Sequence, residues 1–488
     1  MNSAKSYQKK KGTGYVFTSG LGLVISLAMV AWIIIIILVK GLGFFWPGDV
    51  LQVKLQNGDS YMGELWDEHL DKETLVEETQ LKIGNRDVYG RDFIWLKNNE
   101  IASRSYPENA VTFERMEYGN FYGFIKAAYL DDKIVQPGDG ETLKDVVFDV
   151  HDQAMDTKEQ INDLQEEATE IMAPLAEVQR EMTLLQLAGA EETATGKQQF
   201  DELQKKADEL DKEISPQIEK INAQLTTLVL RDRASYLEVE TADGTTKHIE
   251  LSSIVRFFYP NEMGAVSKSI HYAGKLWEFV ADNPRESNTE GGVFPAIFGT
   301  VLMVLLMSIA VVPFGVLAAI YLNEYAKQGA IIRFIRLSVN NLAGVPSIVF
   351  GVFGLGFFVY AVGGSIDQLF FSSKLPEPTF GTGGILWASL TLALLTLPVV
   401  VVATEEGILA VPRANKEGAL ALGSTKWQMI RKIVLPNAMP GILTGLILAI
   451  SRGAGEVAPL MITGVVKLAP TLALDGSFPF LHLDRKFM

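Results

Sequence analysis

The run from Val16 to Val39 carries no charge and includes Ile33-Ile34-Ile35-Ile36-Ile37. Such a segment is long enough to cross a hydrocarbon core of about 30 Å as a helix. Lys5, Lys9, Lys10 and Lys11 precede it. A cleaved signal peptide is disfavoured, because the run is long and no small-residue cleavage pattern follows. Positive residues stay on the cytoplasmic side, so the N-terminus is expected inside and residue 41 onward outside. Four more apolar stretches follow residue 290, roughly over 294–322, 338–362, 383–403 and 439–463. The loop 323–337 carries Lys327, Arg333 and Arg336. The loop 404–438 carries Arg413, Lys416, Lys426, Arg431 and Lys432, and the loop 363–382 only Lys374. Both basic loops fall inside on this threading. Five spans leave the C-terminus outside. The chain stops at Asp484-Arg485-Lys486-Phe487-Met488, so the expectation is that a final helix is missing.

Composition narrows the function classes. The chain has 488 residues, 48% of them hydrophobic, which suits spans combined with soluble parts. Cysteine is absent, which excludes disulfides, thiolate nucleophiles and cysteine metal clusters. The five histidines (His69, His151, His248, His271 and His482) are scattered, so no metal site is expected. The net charge of −15 is uneven: residues 41–290 carry −24 and the remainder +9. That acidic block argues against a nucleic-acid partner, which needs clustered Lys and Arg.

The block 41–290 reads as a soluble insert. Val50 to Asp59 alternates apolar and polar residues and reaches Asn57-Gly58, a hairpin signal. Tyr236 to Glu240 followed by Asp243-Gly244 repeats it. Between these β-rich flanks, about 155–230, the period changes. Ile161, Leu164, Ala168, Ile171, Leu175, Val178, Met182 and Leu185 step by three and four. After a turn near 189–196, Phe200, Leu203, Ala207, Leu210 and Ile214 resume the step, and Ile218, Ile221, Leu225 and Leu228 continue it. The spacing predicts a coiled-coil hairpin whose arms reach about 50 Å. Pro174 and Pro216 are expected to kink the arms. An extracytoplasmic contact with another component is the expected role of this arm.

Two constellations carry chemistry. In the basic loop 404–438, Glu417-Gly418-Ala419 is followed by Gly423, nine residues, and Ile433-Val434-Leu435-Pro436. Small residues at 418, 419 and 421 let a partner approach closely, and Gly423 can stop a helix in the left-handed conformation. An ordinary surface helix and turn is the plainer reading of the residues alone. The glycines at 418 and 423 do not form a nucleotide loop, since no lysine follows the second one. In the fifth stretch, Arg452-Gly453-Ala454-Gly455-Glu456 places an arginine and a glutamate four apart, on one face if helical. Ionisable groups inside a span usually face a bundle interior or a pathway. Arginine's planar fork suits an oxyanion, yet Arg452 and Glu456 could equally neutralise one another and lock two helices. Gly344, Gly351, Gly354 and Gly356 read as a packing stripe in the second of the four later stretches.

The loop resembles the EAA motif of ABC importer permeases, the binding-protein-dependent transport inner-membrane components. Gly418 stands where that family usually has alanine. Arg452-x-x-Gly455-Glu456 continuing into Val457-Ala458-Pro459-Leu460 resembles the PstA family of phosphate permeases. Residues 341–351 resemble the entry to that family's third span. Permeases for molybdate and sulfate share the Arg-x-x-Gly-Glu part. The resemblance covers 290–470 and, loosely, the first span, but not 50–270.

Together these readings give a mainly α membrane protein: a type I ABC importer permease bundle with an extracytoplasmic α+β insert containing a coiled-coil hairpin. Residues 1–40 form the cytoplasmic N-terminus and first span, 41–290 the insert, and 291–488 the permease domain with its coupling loop. The resemblance implies a multi-pass inner-membrane subunit of a phosphate importer. It implies no catalytic residues, cofactor or metal on this chain, ATP hydrolysis falling to a partner. Implied partners are a homologous PstC-type permease, a dimer of PstB-type ATPase subunits, a PstS-type extracytoplasmic phosphate-binding protein and membrane lipid. Glu417, Gly418, Ala419, Gly423 and Pro436 are the expected ATPase-coupling residues, and Arg452 and Glu456 the substrate-pathway residues. Alternatives are a molybdate or sulfate permease, or a membrane-anchored coiled-coil scaffold.

Overall fold

The computed structural model describes residues 2–70, 76–138, 141–187, 189, 194–286, 290–372, 375, 378–464, 473–474 and 481–483. Lys374, part of the turn near 189–196, and Asp484 to Met488 lie outside the described residues. The chain divides into two compact units: residues 1–164, 223–286 and 290–292, and residues 165–222 with 293–488.

The first unit begins with helix α1 (Asn2–Gly43) and continues as a β structure. Strands β1 (Val50–Leu55) and β2 (Ser60–Leu70) form an antiparallel hairpin whose turn places Gly58 at φ 97°. Only glycine adopts that angle at little cost, and Asn57 Oδ1 accepts the Asp59 N–H at 3.0 Å. With β3 (Glu77–Lys82), β4 (Phe93–Lys97) and β5 (Ile101–Ser105) they form a sheet in the order β4-β3-β2-β1-β5. A one-turn helix, α2 (Arg86–Tyr89), interrupts the path from β3 to β4. A second sheet contains β6 (Val111–Arg115), β7 (Phe121–Leu130), β8 (Lys133–Val135), β9 (Tyr236–Glu240), β10 (Thr246–Glu250) and β11 (Ile254–Phe258). Its order is β10-β9-β7-β6-β11, with β8 against β7. Gly244, at φ 86°, turns β9 into β10.

Two long helices interrupt this sheet: α3 (Leu143–Leu187) and α4 (Ala194–Arg233). Helix α3 starts well before 155, because its first turns belong to the sheet's core. Val146, Val147, Val150 and Ala154 are buried with Phe113, Phe121, Leu237, Val239 and Phe257. Further along, the residues at three-and-four spacing are the shielded ones, with Val178, Ala207 and Ile214 nearly fully buried. Pro174 and Pro216 both lie inside continuous helices. Helix α5 (Ala265–Ala281) and the small ribbon Pro284–Arg285 with Glu290–Gly291 complete the unit.

The second unit holds a helical bundle: α6 (Phe294–Ile320), α7 (Ala330–Leu342), α8 (Ser347–Gly354), α9 (Gly364–Phe370), α10 (Ile385–Ala410), α11 (Arg413–Ala421), α12 (Lys426–Met429), α13 (Leu435–Gly455) and α14 (Ala458–Thr463). Wider π-helical turns extend α6 through Tyr321–Tyr325, join α8 to α9 through Leu355–Gly363, and join α12 to α13 through Ile430–Val434. Among the described residues, five helices are long and apolar enough to cross a membrane: Gly14–Gly43, Phe294–Tyr325, Ser347–Phe370, Ile385–Ala410 and Lys426–Gly455. Two spans differ most from the sequence reading. The stretch 338–362 divides, because Pro346 ends the approach of α7 and caps α8. The last long helix runs over 426–455 instead of 439–463. It starts early because the basic segment before Pro436 is helical. It stops at Gly455 after two glycines, which cost helix stability, and before Pro459.

Helix α10 is the centre of the bundle: 67% of its apolar window is buried, against 28% for each of the other three bundle spans. It packs on α6 and α13 through small residues. A Cβ on Gly441 would stand 2.7 Å from Gly407 Cα, and one on Gly445 2.8 Å from Ala403 Cβ. Close backbone approach of this kind stands in for the hydrophobic effect, which cannot drive helices together inside lipid. Of the glycine stripe, Gly351 meets Pro459 of α14 and Gly354 meets Thr391 of α10, whereas Gly356 faces open space and Gly344 precedes the span.

Candidate functional site

The polar loop after α10 folds into a short projecting element. Helix α11 buries no residue fully; it is held at its base. Lys416 Nζ donates to Glu324 Oε1 at 2.7 Å and to the Ile408 carbonyl at 3.3 Å. Ala419 packs on a buried cluster of Ile320, Ile408, Met429, Ile430 and Val434. Lys426 donates to the Glu324 carbonyl and lies 4.8 Å over the Tyr325 ring. Both lysines therefore tie the loop to the π-helical end of α6.

The tip of this element stands exposed. Gly423 adopts φ 83°, and its N–H donates to the Leu420 carbonyl while that of Leu422 donates to Gly418. Thr425 then caps α12 in a reciprocal capping box with Gln428. The result is a rigid helix, glycine turn and helix. Glu417 and Gly418 are exposed, and a Cβ added at Gly418 meets nothing. Leu422 is 89% exposed. The motif pattern did not single out Leu422; its signal is an apolar residue directly before the stopping glycine of a polar surface helix. Pro436 is not on this element. It occupies the start of α13, and the π-helical turn Ile430–Val434 directly precedes it. A proline cannot donate to the carbonyl four residues back, and a widened turn accommodates that loss.

The second place is the far end of α13. Arg452 lies in its last turn, and Glu456 is the cap residue with an extended backbone (φ −86°, ψ 117°). The shared helix face expected from the spacing is therefore absent, because the helix ends between them. The two side chains still meet, Arg452 Nε to Glu456 Oε1 at 3.5 Å. They are 29% and 20% exposed, and among the described residues Arg452 makes no other ion pair or hydrogen bond. The last carbonyls of a helix carry partial negative charge, which Arg452 offsets. Neighbouring Gly453 brings α13 against α6, where a Cβ would stand 2.7 Å from Met307 Sδ.

Two further ionisable sites in the bundle escaped the sequence reading. Asp367 is buried and accepts the N–H groups of Phe380 (2.8 Å) and Gly381 (2.6 Å), which fixes the loop before α10. Arg336 lies 3.3 Å from Glu405 Oε1 and donates to Asn323 Oδ1 at 3.2 Å. Single charged residues in loop-flanking positions gave no pattern from which to pick them. The hydroxyls of Ser389, Thr391, Thr396 and Thr463 are buried but each donates to a carbonyl of its own helix.

Residues 311–480 match the family model described as binding-protein-dependent transport system inner membrane component. Phosphate transport system permease protein PstA 1 of Mycobacterium tuberculosis (strain CDC 1551 / Oshkosh) is 38% identical over 172 residues, 35% of this chain and 51% of the relative. PstA of Yersinia pestis is 36% identical over 187 residues, 38% of this chain and 57% of the relative. A probable ABC transporter permease protein of Bacillus subtilis, YqgI, is 32% identical over 187 residues, 38% of this chain and 58% of the relative. The chain thus spans about half the length of the curated relatives it matches. A solved structure of the MetNI methionine ABC transporter aligns at 20% identity over 37% of this chain and 72% of that one. The TM-score of that alignment is 0.27.

Proposed function

We propose that this chain, whose residues 311–480 match the model of the binding-protein-dependent transport inner-membrane component family, is a permease subunit of an ATP-driven phosphate importer. It forms half of a pathway completed by a homologous PstC-type permease. It couples to a pair of PstB-type ATPase subunits and receives phosphate from a PstS-type binding protein. The observation that carries this reading is the family match, which takes in both α11 and the end of α13. The N-terminus and the α11 loop lie on the cytoplasmic side, and residues 41–290 lie outside.

The chemistry follows from the geometry. An ATPase cleft receives the projecting α11 tip, with Glu417 and Gly418 at the contact and the exposed Leu422 as its apolar anchor. Ala419 and Lys416 hold the base, and Gly423 sets the stop. Movement of the tip is carried to α6 through Lys416 and Glu324, and to α13 through the helix that begins at Lys426. At the other end, Arg452 offers a guanidinium that Glu456 only partly satisfies. An oxyanion approaching the negative end of α13 needs that positive charge. Pathway opening is a shift between two bundle arrangements, biased by the ATPase.

Phosphate uptake by the assembled importer tests this. Arg452→Gln keeps the complex assembled and lowers phosphate uptake at least about tenfold, the loss of one charge-assisted hydrogen bond. Arg452→Lys restores part of it, because the charge survives without the fork. Normal uptake by the glutamine variant defeats the pathway role. Uptake of sulfate or molybdate in preference to phosphate favours the other oxyanion permeases.

A further inference from the structure

Helix α5 is turned inside out. Its inward side carries charge: Lys268 pairs with Asp49, and Lys275 pairs with Glu114 and Glu278. Glu278 also pairs with Arg256 and Arg285. Its outward side carries Val266, Ile270, Ala273, Trp277 and Val280, stepping by four and three. Val266, Ile270 and Trp277 are 77%, 70% and 73% exposed. A helix on a soluble protein in water places these two faces the other way round.

The chain beside the stripe indicates what covers it. Helix α1 ends at Gly43, and rings follow it directly. Phe45 lies 5.0 Å from Phe279 and Trp46 5.8 Å from Tyr272, both on α5. Helix α5 is therefore clamped where an uncharged span leaves its membrane. Phe44 stands edge-on to Trp66 at 6.3 Å, and Trp66 to Phe93 at 5.3 Å, all three exposed. Amphipathic rings collect at the boundary between hydrocarbon and water. The outward stripe carries no carboxylate, although residues 41–290 carry −24 overall. The next long element after α5 is α6, itself apolar enough to cross a membrane.

We infer that α5 is an interfacial helix: it lies in the bilayer surface beside the exit of α1, its apolar stripe immersed to about 5–10 Å. The first unit is then seated on lipid along α5 and does not hang from a single tether.

The absence of cysteine makes the test direct. Single Ile270→Cys, Ala273→Cys and Trp277→Cys variants of the full chain are spin-labelled in nanodiscs of phosphatidylethanolamine and phosphatidylglycerol. Glu170→Cys, exposed on α3, serves as the aqueous reference. The expected result is several-fold greater oxygen accessibility, and several-fold lower accessibility to a nickel chelate, at all three α5 positions than at 170. Equal access of the nickel chelate at 270 and 277 overturns the proposal. So does exclusion of both reagents there, which identifies a protein surface as the occupant.

Discussion

Arg115 is a buried cation of the first unit. Its guanidinium forks onto Asp87 with two contacts of 3.1 Å, and also donates to the carbonyls of Gly119 and Tyr118. Lys247 adds a third contact to Asp87 at 3.3 Å. Burial alone would lift the Asp87 carboxyl, but the hydrogen bonds and charge of Arg115 and Lys247 outweigh it and hold the group below 3.8. The folded value is thus the lower one. The contribution is fully present above the ordinary aspartate range and is lost as pH falls through the folded value. Hydrogen exchange at the β6 amides, followed from pH 6 to pH 3, is expected to show protection falling steeply in the acid half of that window. Asp87→Asn is expected to flatten that fall and to cost about 3 kcal/mol already near neutral pH, since Arg115 is then buried without its counter-charge. At this scale the sequence was legible only where a motif spanned many residues. Glu417, Gly423 and Arg452 stood out by spacing. Asp87, Asp367 and Arg336 did not, because their partners lie on other elements, beyond the period of any one helix or strand.

Helices were easier to read than their ends. Apolar length announced the five long helices, and Asn57-Gly58 announced the β1–β2 turn, because both signals are local. The end of α13 was misread because a spacing of four implies one face only if the helix continues, and Gly453 with Gly455 ends it. The start of α3 was missed because its first turns pack under a sheet whose strands come from both sides of the helical arms. Packing between elements was hidden for the same reason. Gly407, Gly441 and Gly445 are unremarked in sequence, yet they set the crossing of α10 and α13. Gly441→Leu is expected to abolish recovery of folded full-length chain from membranes, judged by size-exclusion profile, since backbone faces backbone there. Gly418→Ala is the contrasting case: its site is open and helical, so stability is expected to rise by up to about 1 kcal/mol with ATPase co-purification retained.

The whole molecule joins a family-matched bundle to a large acidic unit that the match does not cover. The two arms are the most separable part. Residues 165–222 lie beyond the turns of α3 that enter the sheet's core, so their removal spares Val146, Val147, Val150 and Ala154. Replacing 165–222 with a short Gly/Ser linker is expected to leave insertion and ATPase co-purification intact. Phosphate uptake and crosslinking to the PstC-type permease or the binding protein are expected to fall together. Unchanged uptake with unchanged crosslinking would remove any docking role from the arms. Composition marked residues 41–290 as acidic. It held no information on how the second sheet assembles, since β7 pairs β9 and β6 pairs β11 across an excursion of long helices.

Helix α1 leaves a mechanical consequence. The apolar residues of its span are exposed around the whole circumference, so no neighbour among the described residues sets its angle. At 30 residues, Gly14–Gly43 is roughly 45 Å long, against a hydrocarbon core of about 30 Å. Such a helix must lean or protrude, and by how much follows the thickness of the membrane. Because Phe45 and Trp46 grip α5 immediately beyond its end, and α5 is seated on the bilayer surface, the lean is taken up at that aromatic joint. A thicker membrane stands the rod more upright, and the angle between rod and seat opens like a hinge while the first unit keeps its attitude.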